Sequence, residues 1–163
     1  MRHLIDSVDL TTAEVDIIIN RALDIINNKE MYSEACHGKK LATLFYEPST
    51  RTRLSFTAAM MELGGNVLGF SDAQSSSSSK GESVSDTIRV ISSYADICAI
   101  RHPKEGAALV AASKSEIPVI NAGDGGRVNT RFSLAQHQID HDAVGMLKDH
   151  DHQTGNDVVL TAG

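Results

Sequence analysis

The sequence predicts an α/β fold, a three-layer domain with a central parallel sheet flanked by helices. Two observations carry this. Short apolar runs at residues 41–46, 66–70, 96–100 and 117–121 have strand length and are rich in Val, Ile, Leu and Phe. Stretches with helical spacing of apolar residues lie between them. Strands alternating with helices imply right-handed βαβ units and therefore parallel strands. In such sheets a ligand binds beyond the carboxyl ends of the strands.

The elements follow in order. Thr11 or Thr12, with Glu14 nearby, is a helix-start signal. Val15, Ile18, Ile19, Ala22, Leu23, Ile25 and Ile26 then recur at helical spacing through Asn28, a pattern read as packing. Residues 31–38 connect to the first strand through Lys39-Lys40. A second helix is expected over 54–63, with Leu54, Ala58, Met61 and Met60 inward. Gly64-Gly65 stops it, because glycine accepts the left-handed conformation after a helix. After the strand at 66–70, five consecutive serines at 75–79 precede Lys80-Gly81 and read as a flexible loop. A helix over 83–94 carries Val84, Ile88, Val90, Ile91 and Tyr94 as apolar positions. The strand at 96–100 ends at Arg101, and an Ala-rich helix spans 105–113. Pro118 stands near the start of the last strand, where a missing N–H is tolerated.

Composition narrows the function classes. A chain of 163 residues is long enough for one domain with a real core. With 4% aromatic residues and no Trp, that core is built from Ile, Leu, Val, Ala and Met. A formal charge of -6 argues against nonspecific nucleic-acid binding. Cys36 and Cys98 lack C-x-x-C spacing, and Cys98 lies in an apolar run as a buried thiol, so no disulfide framework is expected. The N-terminus has no apolar signal region, and no stretch is long enough to span a bilayer, so a soluble cytosolic protein without membrane partners is the expectation.

The chemistry concentrates in Glu47-Pro48-Ser49-Thr50-Arg51-Thr52-Arg53, between the first strand and the second helix. A sharp strand-to-helix turn presents free N–H groups and the positive end of the helix dipole. Hydroxyls donate to phosphate oxygens, and arginine grips them with a bidentate fork. The turn therefore reads as a phosphate site. The same residues also fit a capped helix with two solvated arginines.

With its neighbours, the segment Phe45-Tyr46-Glu47-Pro48-Ser49-Thr50-Arg51-Thr52-Arg53-Leu54-Ser55-Phe56 resembles the carbamoyl-phosphate signature of the aspartate/ornithine carbamoyltransferases. Pro48 is more like the aspartate branch. Ser79-Lys80-Gly81-Glu82-Ser83 followed by Asp86-Thr87 resembles the family's mobile lysine loop. Arg101-His102-Pro103 resembles its second phosphate-contacting arginine, and Asn121-Ala122-Gly123-Asp124-Gly125 the strand end before its catalytic histidine. The likeness covers residues 2–125.

The resemblance implies carbamoyl transfer from carbamoyl phosphate to the amino group of L-aspartate, an early step of pyrimidine synthesis, with no metal or organic cofactor. It implies that Ser49, Thr50, Arg51, Thr52, Ser76, Lys80 and Arg101 bind carbamoyl phosphate. Thr52, Arg101 and Lys80 take the catalytic roles. Lys80, with Ser76 four residues before it, would reach a neighbouring subunit's site in a homotrimer, to which regulatory chains can attach. Arg53 is left as a structural or salt-bridge residue, and His102 as a structural one.

The pattern breaks after Gly125. The family's His-Pro-x-Gln is expected there, but the chain reads Gly126-Arg127-Val128-Asn129-Thr130, with Asn129 about where the histidine belongs. Residues 133–163 show no resemblance. His137 and His141 are spaced as a metal pair on a helix face, but the third ligand and the glutamate of H-E-x-x-H are missing. The expectation is a carbamoyl-phosphate domain over 1–125, an irregular or disordered polar tail over 126–163, and no aspartate-binding domain. A catalytically silent anion-binding or assembly fragment is the alternative, and ornithine carbamoyltransferase a weaker one.

Overall fold

A computed structural model describes residues 1–72 and 81–125. A 3-10 turn, Ser7–Asp9, leads to α1, Thr12–Asn27, and a short α2, Lys29–Tyr32. Then follow β1 (Lys40–Phe45), α3 (Thr50–Glu62), β2 (Asn66–Phe70), α4 (Val84–Ser92), β3 (Ile97–His102), α5 (Ala107–Lys114) and β4 (Val119–Asp124). The expected alternation is present.

The four strands form one sheet in the order β2-β1-β3-β4, and every pair is parallel. From β1 the chain passes through α3 to β2 on one side. From β2 it returns through α4 to β3 on the other side of β1. The winding therefore reverses between β1 and β3, and a crevice at the carboxyl ends of these two strands is where such sheets bind ligands.

Alternation along the strands sends side chains to both faces of the sheet. Ala42, Leu44 and Tyr46 of the β1 run pack with Cys98, Ile100 and Val119 against Ile88 of α4 and the alanines of α5. Leu41 and Ala99 face the other way, where Met60 and Phe56 of α3 cover them. Leu44, Ile88 and Ile100 are fully buried, each worth roughly 1.5–3 kcal/mol of apolar burial. Ala107, Ala108, Ala111 and Ala112 make α5 thin enough to lie close on the sheet. Cys98 is buried as expected, and burial pushes its thiol up to about 12. No described helix is long and apolar enough to cross a membrane.

Several expectations need correction. α3 begins at Thr50, so the Ser49–Arg53 turn is the first turn of the helix itself. Its buried side is Met60 with Phe56 packed nearby, whereas Leu54, Ala58 and Met61 are exposed. Apolar residues occur all round this helix, so periodicity alone did not select a face. No residue of α1 is buried, and Ile18, Ile19 and Leu23 of the expected packing stripe are exposed. β3 runs on through Arg101 to His102. At the other end of the chain, Leu4 pairs with Ile120 as an extra parallel bridge on the β4 edge. Gly64 ends α3 region as expected, with φ 79 and its N–H on the Met61 carbonyl at 3.0 Å.

Candidate functional site

The β1–β3 crevice receives its groups from two neighbouring strand ends. Phe45 of β1 lies in register with Arg101 of β3, and the Tyr46 N–H donates to the Arg101 carbonyl at 2.8 Å. The chain then turns through Glu47 and Pro48 into α3. Ser49 is the N-cap residue of α3, in extended conformation, yet it makes no side-chain cap hydrogen bond. Its hydroxyl instead donates to the Thr52 hydroxyl at 3.0 Å. An N-terminus without a side-chain cap leaves helix N–H groups for another acceptor.

The face of α3 that lines a cleft, on the β2 side of β1, differs from the expected one. A cleft of about 340 Å³ is lined by Pro48, Ser49, Thr50, Arg53, Leu54, Ser71 and Asp72. Ser49, Thr50, Arg53 and Leu54 share a helix face through their three- and four-residue spacing. Arg51 lies off that face and is exposed. Arg53, expected to be structural, makes no ion pair among the described residues and is half-buried at the cleft. Neither Arg51 nor Arg101 lines it.

Arg101 is held on the β4 side. Its Nη1 donates to the Ala122 carbonyl at 3.2 Å, and its Nη2 stands 3.6 Å from a Glu47 carboxylate oxygen. Its Nε is buried without a hydrogen-bond partner among the described residues. Glu47 and Ala122 are contacts that motif reading did not single out. An acid between a strand and a helix start, beside an arginine at the next strand end, was the available signal. His102 accepts from the Lys104 N–H at 2.9 Å through Nδ1 and packs on Tyr46 with ring centroids 4.8 Å apart. Burial, then the nearby Lys104 charge, lowers its pKa. This ring braces the two strand ends.

Ser76 and Lys80 lie outside the described residues, as do Asn129, His137 and His141. Among the described residues no group of three or more His, Cys, Asp or Glu side chains is placed to hold a metal ion. Beside the carboxylates of Glu47 and Asp72, the described rim offers donors: helix N–H groups, hydroxyls of Ser49, Thr50 and Thr52, and guanidinium groups. That set suits an oxyanion.

The profile of the family described as "Aspartate/ornithine carbamoyltransferase, carbamoyl-P binding domain" matches residues 2–128. This chain belongs to that family. It is 70% identical over 126 residues to the aspartate carbamoyltransferase catalytic subunit of Lachnoclostridium phytofermentans, covering 77% of this chain and 41% of the relative. To the corresponding subunit of Clostridium kluyveri it is 63% identical over 133 residues, 82% of this chain and 44% of the relative. The chain therefore spans less than half the length of these relatives. An alignment with the Clostridium botulinum subunit, 55% identical, covers 148 residues or 91% of this chain. It thus runs well past Gly125, into the segment where reading by motif finds no resemblance.

Solved structures agree. The catalytic subunit of M. jannaschii aspartate transcarbamoylase superposes with a TM-score of 0.69 and 52% identity, over 76% of this chain and 42% of that one. The Trypanosoma cruzi enzyme, solved with carbamoyl phosphate and aspartate, gives 0.70 and 34% identity, over 76% of this chain and 41% of that one.

Proposed function

We propose that this chain supplies the carbamoyl-phosphate half of an aspartate carbamoyltransferase. The α-amino group of L-aspartate attacks the carbonyl carbon of carbamoyl phosphate. The bond from that carbon to the bridging oxygen breaks, phosphate leaves, and the nitrogen loses its proton to give N-carbamoyl-L-aspartate. Catalysis is positioning and charge stabilisation. Ser49, Thr50, Arg51 and Thr52, with the α3 N–H groups, take the phosphate. Thr52 and Arg101 polarise the carbonyl oxygen. Ser76 and Lys80 contact carbamoyl phosphate from a neighbouring subunit, and Lys80 neutralises the leaving group. Residues 1–125 form the carbamoyl-phosphate domain, and 126–163 a divergent tail. The working protein is a cytoplasmic homotrimer whose aspartate site belongs to a second domain, and its reaction feeds pyrimidine synthesis.

One observation carries this reading. An α3 N-terminus without a side-chain cap and Arg101 share the point where the sheet reverses its winding, in a chain 70% identical over 126 residues to a catalytic subunit. The test is a calorimetric titration with carbamoyl phosphate beside an assay of carbamoyl-aspartate formation, with ornithine swapped for aspartate as control. Saturable binding supports the site, and no binding contradicts it.

A second reading is an anion-binding or assembly fragment without turnover. Asn129, standing where the family's histidine is expected, favours it. Binding of carbamoyl phosphate with no product formed distinguishes it from the first.

A further inference from the structure

The geometry points to Gly123 as a positioning residue for the Arg101 guanidinium, an inference that rests on Arg101 being an anion ligand. Four observations meet at this place. The first is register. Ile100 pairs with Asn121 but His102 pairs with Asp124, so Ala122 and Gly123 together stand opposite Arg101. This is a bulge in β4, and a bulge re-aims a side chain beside it. The second is the hydrogen bond from Arg101 Nη1 to the Ala122 carbonyl at 3.2 Å.

The third is space. Gly123 is buried with φ 131, and a Cβ placed there would lie 2.3 Å from Arg101 Nη1 and 3.0 Å from Cζ. The charged end of Arg101 therefore occupies the volume that any other residue would fill. The fourth is how the bulge is fixed. The Gly123 N–H donates to Asn121 Oδ1 at 3.0 Å, and Asn121 Nδ2 donates to the Ile5 carbonyl at 3.1 Å.

Arginine recognises an oxyanion through a rigid planar fork, so its direction matters as much as its charge. With Nη2 near Glu47 and Nη1 on Ala122, the guanidinium has a fixed resting place at the rim. A methyl group at residue 123 removes no donor. It displaces the donor that is already there. Gly123 thus acts on the anion only through Arg101.

The test titrates the 163-residue chain with inorganic phosphate. Variants are Gly123→Ala, Arg101→Ala, the double variant, and Gly38→Ala as control. Gly38 has φ 74 and nothing within 4 Å of a built Cβ, so it carries a positive-φ backbone cost, smaller than that at φ 131, without the contact. Gly123→Ala is expected to weaken phosphate binding about tenfold, the size of one lost charge-assisted hydrogen bond. Gly38→Ala leaves affinity unchanged. In the Arg101→Ala background, adding Gly123→Ala changes affinity by less than about twofold, because no guanidinium remains to misplace. If Gly123→Ala is too unstable to titrate, thermal unfolding decides: the double variant, relieved of the collision, unfolds at a higher temperature than Gly123→Ala alone.

Normal phosphate binding by Gly123→Ala, with Arg101→Ala weakened, overturns the inference and leaves the reading of Arg101 standing. Normal binding by Arg101→Ala, or no binding by the wild type, overturns both. Additive weakening in the double variant, or a double variant no more stable than Gly123→Ala, makes Gly123 merely structural and also overturns the inference.

Discussion

Two helix starts in this molecule both open on a hydroxyl residue in extended conformation and end up in opposite states. At α1, Thr11 accepts from the Glu14 N–H at 3.3 Å, and Glu14 accepts from the Thr11 N–H at 2.8 Å, a reciprocal capping box. Arg2 pairs with Glu14 from outside. At α3, Ser49 has the same extended N-cap backbone but gives its hydroxyl to Thr52, and no acid stands in the first turn. α4 follows the α1 pattern, with Ser83 accepting from the Asp86 N–H. A helix start that supplies its own acceptors is finished. One that holds hydroxyls and arginines but no carboxylate in its first turn is complementary to an anion from outside.

The largest expected effect that would break this contrast is at Arg101. Arg101→Ala should weaken phosphate binding by about ten- to a hundredfold, as read by calorimetry, since a charged hydrogen-bond partner is lost. A smaller loss would place the anion away from β3. Next comes a matched pair. Ser49→Ala should weaken phosphate about tenfold and leave thermal stability nearly unchanged, because no cap bond is lost. Thr11→Ala should do the reverse, costing about 1 kcal/mol of stability in denaturant unfolding and leaving phosphate affinity alone.

How much of this was legible in the sequence depended on how local the signal was. Thr11 with Glu14 announced its helix because a capping box is complete within four residues. The parallel sheet followed from apolar runs broken by helical periodicity. The motif at 49–53 was legible as an anion turn because donors and a strand-to-helix change coincide there. Its facing was not, since Arg53 rather than Arg51 lines the cleft, and the phase of α3 is set by Met60 and Phe56 meeting the sheet. Glu47 beside Arg101 and the β4 bulge were equally illegible. They depend on the register of strands far apart in sequence.

Two smaller effects sharpen the comparison. Glu47→Gln frees Arg101 of a partly exposed counter-ion and should raise phosphate affinity about two- to fivefold, the range of an exposed ion pair. At α1, the hydrogen bond from Arg2, then those from Thr11, lower the Glu14 pKa to about 2. A carboxylate with a depressed folded pKa contributes stability above its unfolded pKa of about 4.3, and that contribution is lost as pH falls through the folded value. The unfolding temperature should therefore fall more between about pH 4 and pH 2 in the wild type than in Glu14→Gln. The α3 start, with no acid in its first turn, contributes nothing to that slope.

The most direct measurement is an amide and guanidinium NMR titration of the chain with phosphate. The anion should shift the backbone N–H signals of Thr50, Arg51 and Thr52 and the Arg101 side-chain signals along one saturation curve, with Thr11 to Glu14 unmoved. Shifts confined to other residues, or an Arg101 side chain that does not respond, would contradict a phosphate site at the β1–β3 crevice.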